Sequence, residues 1–399
     1  MNITITPRLL TGSVHAVPSK SYAHRFLICA AFSDGPSEIV CPETNDDIEA
    51  TAACLTAMGA NIKRAEHGYM VSPATSIPSR VEIFCRESGA TLRFLLPILG
   101  ALGVSATIHM EGRLSRRPLS PLWEEMERMG CVLSKPSPDV LLCSGKLCAG
   151  SYSLPGNISS QFISGLLFAM ALMEGKSQIS IVGKLSSAPY VNMTREVLSV
   201  FGVDTSHLKV QGSYPLHSPG TIAVEGDWSN AAFFLAANTI GNPVRVDGLN
   251  SQSLQGDRMV IDILDQLKAS RSIVSAANIP DLIPILSVCA ACMHGCVFTD
   301  IERLRLKESD RVKSTVSMLQ SLGIHAEATE TTLTVYPGHI SGGTVDSFHD
   351  HRIAMSAAIA ATKASLPVTI LDAECVSKSY PSFWKVYKRL GGSYEQLLR

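Results

Sequence analysis

The chain has 399 residues, of which 46% are hydrophobic and only 17% are charged, and its formal net charge is −1 at pH 7. This composition is typical of a globular protein with two or three cored domains and excludes an intrinsically disordered chain. The charge balance gives no support for binding to nucleic acid or to an anionic membrane.

The start of the chain, MNITITPRLLTGSV, has no basic start followed by an apolar core, so we expect that it is not a secretory signal. The apolar stretch FISGLLFAMALM is too short for a bilayer, which requires about 20 residues. Eleven cysteines lie mostly in apolar settings, so we expect reduced core thiols and a cytoplasmic protein. One metal-like spacing lies on or just after an apolar helix, where we predict core packing and no metal; its residues are Cys289, Cys292, His294 and Cys296.

A sixfold repeat runs along the chain, and each copy contains a helix that is apolar nearly all round. Such a helix is expected to be buried on every side. The six segments, in chain order, are YAHRFLICAAF, TLRFLLPILGAL, QFISGLLFAMALM, NAAFFLAANTI, LIPILSVCAACM and IAMSAAIAAT. A short strand-like run follows each segment, as in SEIVC after the first and PVTILD after the last.

An amphipathic helix completes the second half of each repeat, and several of these helices precede a hairpin-like pair of strands. Five of them end at a bulky residue followed by a glycine suited to a left-handed cap: Gly59, Gly130, Gly202, Gly323 and Gly391. The segment DRMVIDILDQLKAS is the copy without that glycine. Six buried helices do not fit comfortably around one core, so we predict two domains of three repeats each.

Every apolar helix begins with a polar or charged cluster. In order, these are PSKSYAHR, ESGATLR, GNISSQ, GDWSN, IPD and DHR. Helix N-termini present free N–H groups that suit phosphate or carboxylate. For any single cluster, helix capping by Ser or Asp is the simpler explanation.

Arginine near these helix starts is not explained by capping, because the helix dipole disfavours a cation there. The repeated placement of Arg25, Arg93 and Arg352 indicates an anion over the helix ends. The wider set of cations adds Lys20, Arg117, Lys378 and the segment RLRLKESDR at 303–311. This set predicts a small substrate with several negative charges, held between two domains. Among so many cations, Asp281 and Glu308 are candidate general acid or base groups as well as candidate ion-pair partners.

The ordered motifs PSKSYAHR, SGATLR, SSQ, RLKESDR and DHRIAM resemble those of the 5-enolpyruvylshikimate-3-phosphate synthase family, from Lys20 to Lys378. The resemblance implies a two-domain inside-out α/β barrel built from six βαβαββ repeats, three per domain. It implies one domain from 1–14 and 226–399, carrying phosphoenolpyruvate-side residues. The other, 15–225, would carry most shikimate 3-phosphate residues, with the active site in the cleft between the domains.

The reaction implied by the resemblance is transfer of the enolpyruvyl group of phosphoenolpyruvate to the 5-hydroxyl of shikimate 3-phosphate, with release of phosphate. The resemblance implies no metal and no organic cofactor. The expected partners are these two small-molecule substrates, without nucleic acid or membrane, and we expect a monomer.

Residue roles also follow from the resemblance. Asp281, Glu308 and Lys20 would be catalytic, with Asp281 accepting the hydroxyl proton and Glu308 protonating the methylene carbon. Shikimate 3-phosphate would be bound by Lys20, Ser21, Arg25, Ser159, Ser160, Gln161, Ser187, Tyr190, Asp281 and Lys307. Phosphoenolpyruvate would be bound by Lys20, Gly89, Arg93, Arg117, Gln161, Arg311, Arg352 and Lys378.

The loop Glu87-Ser88-Gly89-Ala90 departs from the family, whose members commonly have Asn, Gly and Thr there. Two other functions remain as alternatives. The sister enzyme that uses UDP-N-acetylglucosamine typically carries a cysteine before an Arg-Pro pair, and EGRLSRRPLSP has none. A noncatalytic anion-binding protein on the same fold would gain nothing from carboxylates beside its cations.

Overall fold

The computed structural model describes residues 1–212 and 214–397. The chain divides into two compact units, a discontinuous unit made of Met1–Val17 and Glu225–Arg399 and a continuous unit made of Pro18–Val224. Residues 398 and 399, at the end of the expected second segment of the discontinuous domain, lie outside the described residues. None of the helices in the described ranges combines the length and apolarity needed to cross a membrane.

The helices of the described chain alternate between the two kinds expected from the sequence. Those of the continuous unit are α1 (Lys20–Ala31), α2 (Asp46–Ala57), α3 (Gly89–Leu102), α4 (Leu122–Arg128), α5 (Ser160–Leu172) and α6 (Ala188–Val200). Those of the discontinuous unit are α7 (Trp228–Thr239), α8 (Val260–Ala269), α9 (Ile283–Cys292), α10 (Arg311–Ser321), α11 (His351–Ala361) and α12 (Phe383–Arg389).

The strands are short and come mostly in pairs that flank these helices. In chain order they begin with β1 (Asn2–Thr6), β2 (Gly12–His15), β3 (Ser37–Val40), β4 (Asn61–Ala65), β5 (Gly68–Ser72), β6 (Arg80–Phe84) and β7 (Ser105–His109). They continue with β8 (Cys131–Ser137), β9 (Val140–Gly145), β10 (Ser151–Pro155), β11 (Gly175–Val182), β12 (Lys209–Gly212), β13 (Thr221–Ala223) and β14 (Val244–Asp247). The last seven are β15 (Ser272–Ser275), β16 (Cys296–Thr299), β17 (Ala326–Ala328), β18 (Thr332–Val335), β19 (Gly343–Asp346), β20 (Val368–Leu371) and β21 (Ser393–Leu397).

Each repeat contributes one small sheet, in which a parallel pair is extended by an antiparallel hairpin. The orders β13-β3-β5-β4 and β6-β7-β9-β8 in the continuous unit, and β15-β16-β18-β17 in the discontinuous unit, follow this plan. Two sheets are reduced in the described residues: β10-β11-β12 has three strands and β14-β2 has two. Among the described residues, the hairpin of this plan is reduced to one strand in the third copy and is absent from the fourth.

The structure moves the expected domain boundaries by a few residues. Strand β2 pairs in parallel with β14 through His15, so residues 15–17 belong to the discontinuous unit and not to the expected 15–225 domain. At the second crossing, β13 pairs with β3 and the discontinuous unit resumes at Glu225, one residue earlier than expected. The first strand, β1, lies between β20 and β21.

The apolar helices are buried in two hydrophobic cores, one in each unit. In α5 every residue except Gln161 is buried, and in α11 every residue is buried, including Arg352 in its first turn. The five cap glycines have φ between +81° and +112°, as the sequence predicts. Burial of the apolar helices thus leaves their polar first turns as the places where chemistry is concentrated.

We expect Gly165→Ala to destabilise the protein by about 1–3 kcal/mol or more, because overpacking a core strains its backbone. A β-carbon on Gly165 of α5 would lie 2.1 Å from the carbonyl oxygen of Arg93 in α3, too close for the two helices to keep their present contact. Urea unfolding measures the change. Gly35→Ala is the matched control, since its β-carbon would meet only Ser218 Cβ at 3.7 Å. Equal stability of the two variants would contradict the expectation.

Candidate active site

Lys20 begins α1 in the continuous unit and is paired with a carboxylate. Its Nζ donates to Asp47 Oδ2 at 2.8 Å, and the two side chains are 18% and 9% exposed. Asp47 lies in the first turn of α2, which is capped by Asn45, whose side chain accepts from Ile48 N. The motif analysis missed Asp47, although two consecutive aspartates at the start of an amphipathic helix were visible in the sequence.

Arg25 lies one turn further along α1, and its guanidinium is buried against α6. Nε donates to Thr194 Oγ1 at 2.8 Å, while Nη1 and Nη2 donate to the carbonyl oxygens of Ser21 and Tyr190. The group also stacks over the ring of Phe94 at 5.0 Å. Burial lowers the pKa of Arg25 to about 10, which still leaves it charged at neutral pH. The side chain is thereby held rigid, a condition for presenting its remaining donors to a ligand.

Two further arginines converge on the loop before α3. A β-carbon on Gly89 would lie 2.7 Å from Nη1 of both Arg93 and Arg117, so a residue larger than glycine would collide with both guanidinium groups. Arg93 Nη1 donates to Gln161 Oε1 at 3.0 Å, which joins α3 to the single incompletely buried residue of α5. Two positive charges beside one backbone segment favour an anion there.

The predicted hydroxyl-bearing residues lie at helix starts in the same unit. Ser159 caps α5 by accepting from Gln161 N at 3.3 Å, and Ser160 is the first residue of that helix. Ser187 precedes α6 with a left-handed backbone, φ 56°, and Tyr190 offers its carbonyl oxygen to Arg25. Tyr190 is thus linked to Arg25 by a hydrogen bond, and the contact that the structure gives the Ser159 side chain is the cap of α5.

Glu87, the unusual charge in this loop, is directed at a neighbouring turn. A β-carbon on Gly112 would overlap Glu87 Oε1, and Gly112 has φ +53°. Gly112 begins the 3₁₀ segment that precedes Arg117. Glu87 therefore packs against the backbone that carries one of the two converging arginines.

Arg311, the first residue of α10, is the centre of the cluster in the discontinuous unit. Its side chain is 1% exposed and contacts three carboxylates: Nε donates to Asp350 Oδ2 at 2.8 Å, Nη1 to Asp281 Oδ1 at 2.5 Å and Nη2 to Glu308 Oε2 at 2.6 Å. The sequence analysis named Arg311 and both catalytic candidates, Asp281 and Glu308, as site residues. It did not name Asp350, which also caps α11. Arg311 thus donates to three carboxylates, and an anionic ligand that binds to it would compete with them.

Asp281 is surrounded by cations. Lys307 Nζ donates to its Oδ1 at 3.3 Å, and Arg352 Nη2 lies 3.6 Å from its Oδ2. Burial raises the pKa of Asp281, but Lys307, Arg352 and Arg311 together outweigh burial and hold its pKa well below the usual value. The same burial lowers the pKa of Lys307, against the opposing effect of Asp281. Asp281 is therefore ionised and ready to accept a proton, but it is a weak base while all three cations face it.

A second buried carboxylate in this unit, Asp257, was not predicted. It is 3% exposed, and burial followed by repulsion from Asp281 raises its pKa to about 7. It precedes α8 in the short 3₁₀ segment Gly256–Met259. Asp257 begins the repeat segment DRMVIDILDQLKAS, but its place before an amphipathic helix did not indicate that it would be buried.

The structure therefore gathers most of the predicted residues into two clusters, one in each unit. Lys378 is buried at the end of the 3₁₀ segment Ala373–Lys378 of the discontinuous unit. Each cluster combines buried cations with carboxylates, an arrangement suited to binding an anion and moving a proton. Within residues 1–212 and 214–397, no group of three or more His, Cys, Asp and Glu side chains is arranged to hold a metal ion.

Comparison with protein families gives one full-length match. The family model described as EPSP synthase (3-phosphoshikimate 1-carboxyvinyltransferase) matches residues 5–387. The chain is 35% identical over 419 residues to a 3-phosphoshikimate 1-carboxyvinyltransferase of Clostridium kluyveri, covering 99% of this chain and 98% of that protein. It is 38% identical over 421 residues to the protein of that name from Clostridium acetobutylicum, with the same coverage.

Solved structures show the same fold. An EPSP synthase from Acinetobacter baumannii matches with a TM-score of 0.79 at 25% identity, over 99% of this chain and 100% of that chain. The enolpyruvyl transferase NikO from Streptomyces tendae matches with a TM-score of 0.77 at 16% identity, over 99% and 98% of the two chains. These likenesses confirm the α/β fold class expected from the sequence.

Proposed function

The chain belongs to the EPSP synthase (3-phosphoshikimate 1-carboxyvinyltransferase) family, and on that premise we propose that it transfers the enolpyruvyl group of phosphoenolpyruvate to the 5-hydroxyl of shikimate 3-phosphate and releases phosphate. The observation that carries the proposal is the pairing of Asp281 and Glu308 around Arg311. A protein that only bound anions would be weakened by two carboxylates at its cations.

The first chemical step is addition of the hydroxyl across the enol double bond. Glu308 donates a proton to the methylene carbon of phosphoenolpyruvate, which makes the adjacent carbon cationic. The 5-hydroxyl oxygen attacks that carbon, and Asp281 accepts the hydroxyl proton, giving a tetrahedral ketal. For this step Glu308 must be protonated and Asp281 ionised, and the three cations around Asp281 favour its ionised form.

The second step is elimination. The phosphate leaves with the electrons of its carbon–oxygen bond and takes the proton held by Asp281. The new methyl group returns a proton to the Glu308 carboxylate, and the double bond re-forms in the product. Lys20, Arg93 and Arg117 from the continuous unit and Arg311, Arg352 and Lys378 from the discontinuous unit neutralise the oxygens that gain charge. Both clusters thus serve one reaction.

Recognition of shikimate 3-phosphate uses the polar helix starts of the continuous unit. Arg25, held by Thr194 and Tyr190, supplies a rigid guanidinium. Ser159 and Ser160 at the start of α5 supply hydroxyl and N–H groups for the phosphate, and Gln161 contacts the ring. Ser21, Ser187, Tyr190 and Lys307 complete the proposed substrate contacts. The protein acts as a monomer in the cytoplasm.

The test is phosphate release from phosphoenolpyruvate with shikimate 3-phosphate as acceptor, and in parallel with UDP-N-acetylglucosamine. We expect release only with shikimate 3-phosphate. Glu308→Gln should lower kcat by about 100-fold or more, the usual contribution of a general acid. Glu302→Gln, an exposed glutamate in the same segment, is the matched control and should retain activity. Release only with the nucleotide sugar, or anion binding without release, would overturn the proposal.

A further inference from the structure

Four buried side chains form a continuous line of hydrogen bonds through the continuous unit. His24 Nδ1 lies 2.7 Å from Thr51 Oγ1, which lies 2.7 Å from Thr91 Oγ1, which lies 2.7 Å from Ser88 Oγ. All four side chains are at most 1% exposed. The line runs from α1 through α2 to the N-cap of α3, and we call it the His24–Ser88 chain.

The number of hydrogens available fixes the direction of the His24–Ser88 chain. Thr91 donates its hydroxyl hydrogen to Ser88 Oγ, so it has none left for Thr51. Thr51 must therefore donate to Thr91 and must itself accept from His24 Nδ1. His24 consequently carries its proton on Nδ1, and its Nε2, which has no hydrogen-bond partner among the described residues, is the unprotonated nitrogen. Burial lowers the pKa of His24 to about 3, so the ring is neutral.

Both ends of the His24–Ser88 chain lie next to residues of the candidate site. Ser88 caps α3 by also accepting from Thr91 N at 3.3 Å, and the next residue is Gly89, where Arg93 and Arg117 converge. At the other end, His24 is one helical turn after Lys20, and Thr51 is one turn after Asp47. The contacts Lys20–Asp47 and His24–Thr51 therefore join α1 to α2 at successive turns.

We propose that the His24–Ser88 chain positions the Gly89 loop, and with it Arg93 and Arg117, for phosphoenolpyruvate. The inference rests on the proposed function and names positioning residues for it, since none of the four need touch the substrate. The His24–Ser88 chain connects α1, which carries Lys20, to the start of α3, which carries Gly89, through hydrogen bonds. Arg25 is held separately by Thr194 and Tyr190 of α6, so its contact with shikimate 3-phosphate depends less on the His24–Ser88 chain than the contacts of Arg93 and Arg117 do.

The test is steady-state kinetics of Thr51→Val, which keeps the shape of the side chain and removes its hydroxyl. We expect KM for phosphoenolpyruvate to rise about tenfold, because the substitution removes both hydrogen bonds of the Thr51 hydroxyl, while KM for shikimate 3-phosphate changes less than about twofold. Thr51→Ser, which restores the hydroxyl, should recover most of the loss. Thr56→Val is the matched control, because the Thr56 hydroxyl lies on the same helix but donates to the local carbonyl oxygen of Ala52.

Two results would overturn the proposal. One is an unchanged KM for phosphoenolpyruvate in Thr51→Val with only a lower melting temperature, which would make the chain purely structural. The other is an equal rise of both KM values, which would indicate general loosening of the unit. Absence of turnover in the wild-type enzyme would instead refute the proposed function itself.

A spectroscopic test addresses the direction of the chain independently of activity. Nitrogen-15 NMR of the histidine side chains should show a protonated Nδ1 and an unprotonated Nε2 for His24 at neutral pH, with the resonances assigned by their loss in His24→Asn. This tautomer is the minor form of a free histidine in water. A protonated Nε2 would mean that the donors run in the opposite order, and the deduced direction of the His24–Ser88 chain would be wrong.

Discussion

Arg311→Met is expected to lower the free energy of unfolding by about 3–5 kcal/mol, the usual cost of removing one partner from a buried ion pair. Methionine fills much of the same space but removes the cation that Asp281, Glu308 and Asp350 share, which leaves Lys307 and Arg352 beside Asp281 only. Arg311 is itself among the largest fully buried side chains, and although burial lowers its pKa, Asp350, Glu308 and Asp281 together raise it well above the usual value. Urea unfolding measures the loss.

The cost of this substitution should depend on pH. In the wild type the pKa of Asp281 is depressed, so its ionisation stabilises the fold above its unfolded pKa of 3.8, and this stabilisation is lost as pH falls through the folded pKa. Removing Arg311 takes away part of that stabilisation. The difference between variant and wild type is therefore expected to be largest near neutral pH, to persist down to about pH 4 and to shrink as the pH falls below 3.8.

Arg305→Met is the matched control, because Arg305 lies in the same segment, is 31% exposed and contacts Asp310 at 3.6 Å. Its loss should cost about 1 kcal/mol or less, as expected of a surface ion pair. If both variants lost the same stability, or if the loss in Arg311→Met grew toward acid pH, the account of the carboxylate cluster would be wrong.

Asp281→Asn is expected to reduce kcat by about 10²–10⁴-fold, because asparagine cannot accept the hydroxyl proton. The substitution keeps the size of the side chain and an oxygen that can accept from Lys307 and Arg311. The KM values should therefore change less than kcat. Phosphate release with saturating substrates measures the effect.

The pH profiles of the wild-type enzyme give a second check on Asp281. In the free enzyme, three cations hold its pKa well below the usual value. Binding of phosphoenolpyruvate to Arg311 and Arg352 would neutralise part of this charge, so the pKa of Asp281 should rise in the complex and make it a stronger base. The acidic limb of kcat, which reports the complex, is then expected at higher pH than that of kcat/KM, which reports the free enzyme.

Asp300→Asn is the matched control for Asp281→Asn, since Asp300 is an exposed aspartate of the same unit with a left-handed backbone that asparagine also adopts. It should leave kcat unchanged. Retention of most activity in Asp281→Asn would assign the proton transfer to another group. Coincident acidic limbs in the two wild-type profiles would show that the substrate does not change the charge around Asp281.

The helices were predictable because their signals are local. An apolar segment without a polar face has to be buried, and a glycine after a bulky residue can end a helix in the left-handed conformation, as Gly59 and Gly323 do. The two sheets with fewer than four strands were harder to predict from the sequence. The third repeat keeps its helix spacing but replaces the outer strand with the 3₁₀ segment Ser206–Leu208, in which His207 and Leu208 have positive φ.

The cations of the candidate site were predictable, but most of their partners were not. A charged residue on an apolar helix is conspicuous in the sequence, as Arg25 and Arg352 were. Thr194, Asp47 and Asp350 could be identified as partners only once the helices were packed, because each lies 27 to 169 residues from its cation. Asp257 begins a repeat segment, but its burial was not predictable, because it arises from contacts made by the folded chain.

The position of β1 has a consequence for how the protein is made. Residues 18–224 form one uninterrupted stretch that can fold as soon as it leaves the ribosome, since domains generally fold as units during synthesis. By contrast, β1 pairs with β20 and β21, so Ile3 waits until Ile370 and Gln396 have been synthesised. Strand β1 is therefore synthesised long before it can be incorporated, and the nascent chain carries its unpaired apolar edge until β20 and β21 have been made.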